Sequence, residues 1–203
     1  MTLTQITVFF LEILIVIVIA MLAHSYLDKK KIKKKLLDLV DPLKGSVSQE
    51  SVFHYPRFHC EFNGRAFDLF FDVVKAGRQH ILYSIYSLTA SVPHPFLLVK
   101  KDEFRPIADP ERFLKENGPL LADIDPPFQG YSKTPNRAKK TYLTGDTKKF
   151  ISALNEFTSL QLGPDALIAG KPYEGLSDAD SEKIMQAILS LEKLAQEIEA
   201  CPA

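Results

Sequence analysis

The stretch from Ile6 to Leu27 is followed at once by Lys29-Lys30-Lys31-Ile32-Lys33-Lys34-Lys35. A hydrocarbon core about 30 Å thick needs roughly 20 helical residues to cross it. Thr7 to Tyr26 supplies that length, with Val8-Phe9-Phe10-Leu11 and Ile13 to Leu22 almost unbroken aliphatic and aromatic side chains. A helix apolar all round for so long reads as a transmembrane span rather than as the core helix of a small domain. A cleaved secretory signal would carry basic residues before the apolar run, a shorter apolar core and a small-residue cleavage site. Here no Lys or Arg precedes Ile6, and the run ends in lysines.

The lysines imply an orientation. Positive charge beside a span is retained on the cytoplasmic side. Met1 to Gln5 carries none, whereas Lys29, Lys30, Lys31, Lys33, Lys34 and Lys35 follow the span. The expectation is a single-pass protein of the cell (inner) membrane, with residues 1–5 outside, 6–27 in the bilayer and a cytoplasmic body. Lysines beside an anionic leaflet each contribute about 1 kcal/mol to membrane attraction, so all six are read as facing the inner leaflet. Glu12 is the one acidic residue within the span. A charged carboxylate is costly in hydrocarbon. Glu12 therefore reads either as a polar contact to a membrane-protein partner or a second copy, or as a protonated or snorkelling side chain near the headgroups.

Charge is unevenly placed. Residues 1–35 hold six Lys against Glu12 and Asp28, a net of +4, so residues 36–203 of this overall neutral chain carry −4. A mildly acidic body argues against nucleic acid as a partner.

Periodicity then lays out the body. Ile32, Leu36, Leu39 and Val40 recur at helical spacing, so the helix is expected to run on toward Asp41 and stop at Pro42. Residues 28–50 read as a basic juxtamembrane helix and a flexible linker (Gly45 to Glu50), with the domain at 51–203. Asn63-Gly64 is a strong two-residue hairpin signal, because both central positions of a type I′ turn need positive φ. The flanking alternation pairs Cys60 with Phe67, Phe58 with Leu69 and His59 with Asp68. A third strand, His80 to Thr89, is apolar on both faces and implies cover on both. Phe96 to Val99 reads as a fourth strand.

Downstream, Asp109 and Pro110 suggest a short helix to Glu116, and Asp123 to Pro127 should be irregular. Ala138 to Thr144 reads as a strand and Asp146 as the cap of a helix through Phe157. Leu160 to Ala169 is a strand or hairpin. Ser177 with Asp180 resembles a capping box, opening a helix over about Asp178 to Glu199. Its buried stripe is Ile184, Ile188, Leu191, Ala195 and Ile198, and its wet side includes Glu192. The fold class is thus α+β: a single N-terminal transmembrane helix, then an antiparallel β-meander domain with C-terminal helices.

Chemistry-bearing motifs are scarce. No glycine-rich phosphate loop or Gly-x-Ser-x-Gly elbow occurs. Cys60 and Cys201 show no metal-ligand spacing, and Asp123-Ile124-Asp125 lacks the glycine and further oxygens of a calcium loop. His59 and Cys60 are adjacent on a strand and face opposite ways, so His59 does not activate Cys60. No catalytic residue, metal or cofactor is assigned. Lys133, Arg137, Lys139 and Lys140 form a second basic cluster, read either as a solvated loop or as a further contact with the anionic membrane surface. The leading functional expectation is a non-enzymatic protein-interaction or scaffolding module tethered to the membrane. The alternatives are a tethered binder of a lipid or other apolar ligand, which needs a cavity lined by Phe and Tyr, and an enzyme without a recognisable motif.

Overall fold

The computed structural model describes residues 3–76, 79–91, 94–100, 115, 116, 118–121, 128–142 and 146–200. Helix α1 spans Leu3–Leu37 and is followed by a short α2, Val40–Leu43. Between Thr7 and Leu37, α1 is long and apolar enough to cross a membrane, and its most apolar stretch is not covered by the rest of the chain. Its distal turns and the turn that follows behave differently. Ile32, Leu36 and Leu39 are fully buried in the domain core, and Leu43 of α2 joins them. Pro42 sits inside α2, where an early helical position needs no amide donor. The chain turns two residues later, at Lys44, which adopts the left-handed conformation (φ 50°). Gly45 follows because a β-carbon there would lie 2.5 Å from the Phe58 ring.

Nine antiparallel strands form one sheet among the described residues: β1 (Ser46–Ser48), β2 (Arg57–Phe62), β3 (Arg65–Ala76), β4 (Gln79–Thr89), β5 (Phe96–Lys100), β6 (Leu120–Leu121), β7 (Phe128–Tyr131), β8 (Ser159–Leu162) and β9 (Ala166–Pro172). Their spatial order is β1-β2-β3-β4-β9-β8-β5-β7-β6. Helix α3 (Pro135–Tyr142), helix α4 (Asp146–Ala153), a 3-10 turn (Leu176–Ala179) and helix α5 (Ser181–Ala200) complete the α+β fold.

The β2–β3 hairpin has the expected register, Phe58↔Leu69, His59↔Asp68 and Cys60↔Phe67. Asn63 and Gly64 both have positive φ, 52° and 76°. Between β3 and β4, Ala76 pairs with Gln79. The β8–β9 hairpin resolves the Leu160–Ala169 ambiguity, and it inserts between β4 and β5. The meander therefore ends at β4. Phe96 to Val99 lies in a strand as expected, but its neighbours are β8 and β7.

One sheet face forms the core. Phe58, Phe67, Leu69, Tyr86, Leu88, Leu98, Leu160, Leu167 and Ala169 lie on it, buried beneath α5 and the end of α1. Tyr86 meets Phe157 edge-on at 5.2 Å between ring centroids.

Several expectations need correction. The helix read as running through Phe157 ends at Ala153. Gly45–Glu50 is not a free linker, since Ser46–Ser48 pairs with β2 as an edge strand. The domain thus includes the distal turns of α1 and does not begin at Ser51. Ala138 lies in helix α3, not a strand. Pro135 stands at the first helical position, where its fixed φ suits a helix, and the Ala138 amide donates to the Thr134 carbonyl at 3.0 Å. The cap of α5 is Asp180, not Ser177, because Asp180 Oδ1 accepts from the Glu182 amide at 3.1 Å. Glu192 is buried rather than wet, its carboxylate accepting from Gln196. The expected stripe of α5 is otherwise buried as read. The short helix expected at 109–116 lies outside the described residues except at 115–116. The irregular stretch with Asp123 and Asp125 also lies outside them, as does Cys201.

Candidate functional site

The distal part of α1 is where the long apolar helix meets the folded domain. An α-helix places residues three and four apart on one face. Lys29, Ile32 and Leu36 therefore share the face that packs into the domain, with Leu39 buried in the turn that follows, and Lys29 is buried with them, only 9% exposed. Its ammonium donates to the Phe53 carbonyl at 2.7 Å and lies 5.0 Å from the centroid of the Tyr55 ring. A buried ammonium needs such partners to offset its lost hydration. The six lysines thus do not act alike. Lys30, Lys31 and Lys34 are exposed, Lys33 and Lys35 are half-buried, and Lys35 pairs with Asp180 at 3.5 Å. The reading of all six as lipid-facing is corrected for Lys29.

Aromatic rings continue this junction into the sheet. Tyr55 packs on Phe71 at 5.8 Å, and Phe71 meets Tyr173 edge-on at 5.3 Å. Burial, reinforced by the Asp28 charge, pushes the Tyr55 phenol up. Burial, then the charges of Asp178 and Asp28, push Tyr173 up to about 12. Both phenols are therefore neutral at physiological pH and act as amphipathic packing groups. Glu12 lies on the bare part of α1, exposed among apolar side chains.

The second basic cluster lies elsewhere. Lys133 and Arg137 are exposed; Arg137, Lys139 and Lys140 belong to α3, which packs beside β6. β6 and β1 are opposite edges of the nine-stranded sheet. At about 4.8 Å per strand they are roughly 38 Å apart along it. The structure therefore does not bring this cluster to the lysines of α1, which neighbour β1. Lys133 instead borders a cleft of about 280 Å³ with Glu116, Phe96 and Leu162.

A more polar cleft, about 460 Å³, opens beside β9 and is bordered by Glu156, Thr158, Lys171, Glu174, Asp178 and Lys183. Lys171 is the buried member, 8% exposed on the core face of β9. It donates to Glu156 at 2.6 Å and lies 5.9 and 5.7 Å from the Tyr86 and Phe157 ring centroids. Asp178 accepts from the Glu174 amide at 2.6 Å. The cleft offers a closed ion pair rather than a nucleophile beside a base, and neither cleft has the Phe- and Tyr-rich lining that an apolar ligand needs. Among the described residues, no three of His, Cys, Asp and Glu converge on a point where a metal would sit.

Cys60 is buried beneath the sheet face. Burial, then the Asp68 charge, pushes its thiol up to about 11. His59 is on the other face, 3.2 Å from Asp68. Sequence reasoning missed Lys29 as a packing residue, together with Tyr55, Phe71, Tyr173 and the Lys171–Glu156 pair. Lys29 alone had a signal, its three-residue spacing from Ile32. The others meet partners remote in sequence.

No family model matches this chain, and no curated protein matches it. Among solved structures, the chain is similar to the mycobacterial trehalose monomycolate transport factor A, TtfA, with a TM-score of 0.62 and 11% identity. The match covers 84% of this chain and 96% of that one. At that identity the likeness is one of fold alone.

Proposed function

We propose that this protein is a single-pass, membrane-anchored factor whose α+β domain stands on the cytoplasmic face and works by binding a protein partner or a second copy of itself. The observation that carries this reading is the division of α1. Its N-terminal stretch leaves apolar side chains uncovered, while its distal turns are part of the domain core. A soluble protein rarely exposes so large an apolar surface. Lipid covers it in this reading, with Lys30, Lys31 and Lys34 at the anionic leaflet. Glu12 then makes a polar contact with a neighbouring transmembrane helix, which relieves the cost of a carboxylate in hydrocarbon. The fold shared with a transport factor supports an accessory, non-enzymatic role in a membrane assembly.

The test has two parts. Impermeant thiol reagents applied to intact cells should label a cysteine placed at Thr2 and spare one placed at Gln161. The opposite pattern overturns the orientation. Cross-linking and pull-down from membranes should recover a partner or a dimer that Glu12→Ala weakens several-fold. Equal recovery with Glu12→Ala refutes the intramembrane contact, and recovery of monomer alone refutes the scaffolding role.

A further inference from the structure

Val52 and Phe53 are 53% and 69% exposed at the tip of a turn between β1 and β2. An isolated exposed apolar residue is ordinary. Here two are adjacent, and the turn that presents them is rigidly built. The Phe53 amide donates to Ser51 Oγ at 3.2 Å, the His54 amide to the Ser51 carbonyl at 3.1 Å, and Gln49 Nε2 to the His54 carbonyl at 2.8 Å. Ser51 Oγ and His54 Nδ1 share a further bond of 2.8 Å. The side chains Val52 and Phe53 are thus not exposed through fraying.

Position decides what they face. Lys29 holds the Phe53 carbonyl at 2.7 Å. Lys29 is the second residue beyond Leu27, where the apolar run of α1 ends. At 1.5 Å per residue that is about 3 Å along the helix axis. The turn is therefore strapped to α1 at the level where the helix leaves the hydrocarbon. Exposed Lys30 and Lys31 lie at the same level, and exposed Tyr26 lies one residue before Leu27. An aromatic and aliphatic tip flanked by lysines and a tyrosine has the composition of a membrane-interface contact.

We infer that the Ser51–His54 turn inserts Val52 and Phe53 into the headgroup and acyl boundary of the leaflet through which α1 exits. The domain then touches the lipid at a second point beside its anchor. This inference rests on the membrane-anchored reading above. Lys29 is its positioning residue, since it fixes the height of the turn and does not itself contact lipid.

The experiment uses full-length protein carrying Cys201→Ser, reconstituted in vesicles of phosphatidylcholine and phosphatidylglycerol. Cysteines introduced one at a time at Phe53, Ile17 and Gln161 each carry an environment-sensitive fluorophore, the remaining Cys60 being buried. A lipid with a doxyl group near the carbonyl end of its acyl chain serves as quencher. The expected result is blue-shifted emission and several-fold stronger quenching at Phe53 than at Gln161, with Ile17 also in a lipid environment. A lipid signal at Ile17 with Phe53 indistinguishable from Gln161 overturns the inference and leaves the anchor intact. A water-like signal at Ile17 overturns the anchor reading and this inference with it.

Discussion

A fragment beginning at Ser51 should fail to fold, although the sequence reads as a domain that starts at that residue. Such a fragment loses Ile32, Leu36 and Leu39, which are fully buried, and Leu43, which is nearly so. Full burial of each aliphatic side chain contributes about 1.5–3 kcal/mol, so the four together contribute about 6–12 kcal/mol. Residual compactness of the unfolded chain lowers this by about 10–40%. What remains still rivals the whole stability of a domain, about 5–15 kcal/mol. Edge strand β1 is lost as well, which uncovers the Phe58 side of β2. The assay is urea unfolding, followed by circular dichroism, of residues 28–200 beside residues 51–200. The longer fragment should give a cooperative transition and the shorter none, with amide resonances collapsed into the random-coil range. Within the longer fragment, Leu36→Ala should cost about 2–5 kcal/mol. A cooperative transition for 51–200 within about 1 kcal/mol of the longer fragment refutes the claim that the helix end is core.

Replacing Lys29 by Ala removes a buried hydrogen bond and a cation–π contact. It should lower stability by about 1–3 kcal/mol, whereas Lys30→Ala should stay within about 0.5 kcal/mol; equal effects in thermal unfolding would contradict the division of the lysines. Arg65 holds Glu199 in a two-pronged pair, 2.8 and 2.6 Å, which with the Ser91 amide keeps the Glu199 carboxyl below the usual range. A lowered folded-state value means that the stabilisation is present above the unfolded glutamate value, about 4.3, and is lost as pH falls through the folded value. The acid limb of a stability–pH curve should therefore be shallower in Glu199→Gln, and an unchanged limb would count against the pair. In a Cys201→Ser background, Cys60 should react with a maleimide far more slowly in the folded protein than in urea at pH 8, because it is buried and its thiol is raised to about 11; comparable rates would place it at the surface. Neutralising Lys133, Arg137, Lys139 and Lys140 should weaken binding of the domain to anionic vesicles at low salt, and unaltered sedimentation with the vesicles would leave the cluster a solvated surface.

Where local chemistry and burial pattern agree, the fold can be read directly. Asn63-Gly64 demands a tight turn, and alternation on either side admits one register, so β2 and β3 pair as expected. The stripe of α5 follows from its period. Two features resist this reading. β4 is apolar on both faces, so periodicity does not choose its neighbour, and β9 rather than β5 takes the place. β1 pairs through backbone groups that any residue carries, which disguises Ser46–Ser48 as a linker. The lysine run has the opposite difficulty. Its composition suggests one uniform block, yet helical phase turns Lys29 toward Phe53 and Tyr55 and leaves Lys30 and Lys31 outside. Tyr173 and Phe71 meet only after the sheet is assembled, so nothing local announces them.

Because α1 ends inside the core and no slack chain separates the two, the domain has no swivel. A twist or tilt imposed on the rod by a neighbour in the bilayer must be carried into the sheet as a rigid-body motion. A partner gripping Glu12 would thereby also set the compass bearing of the far edge, where β6 and α3 stand.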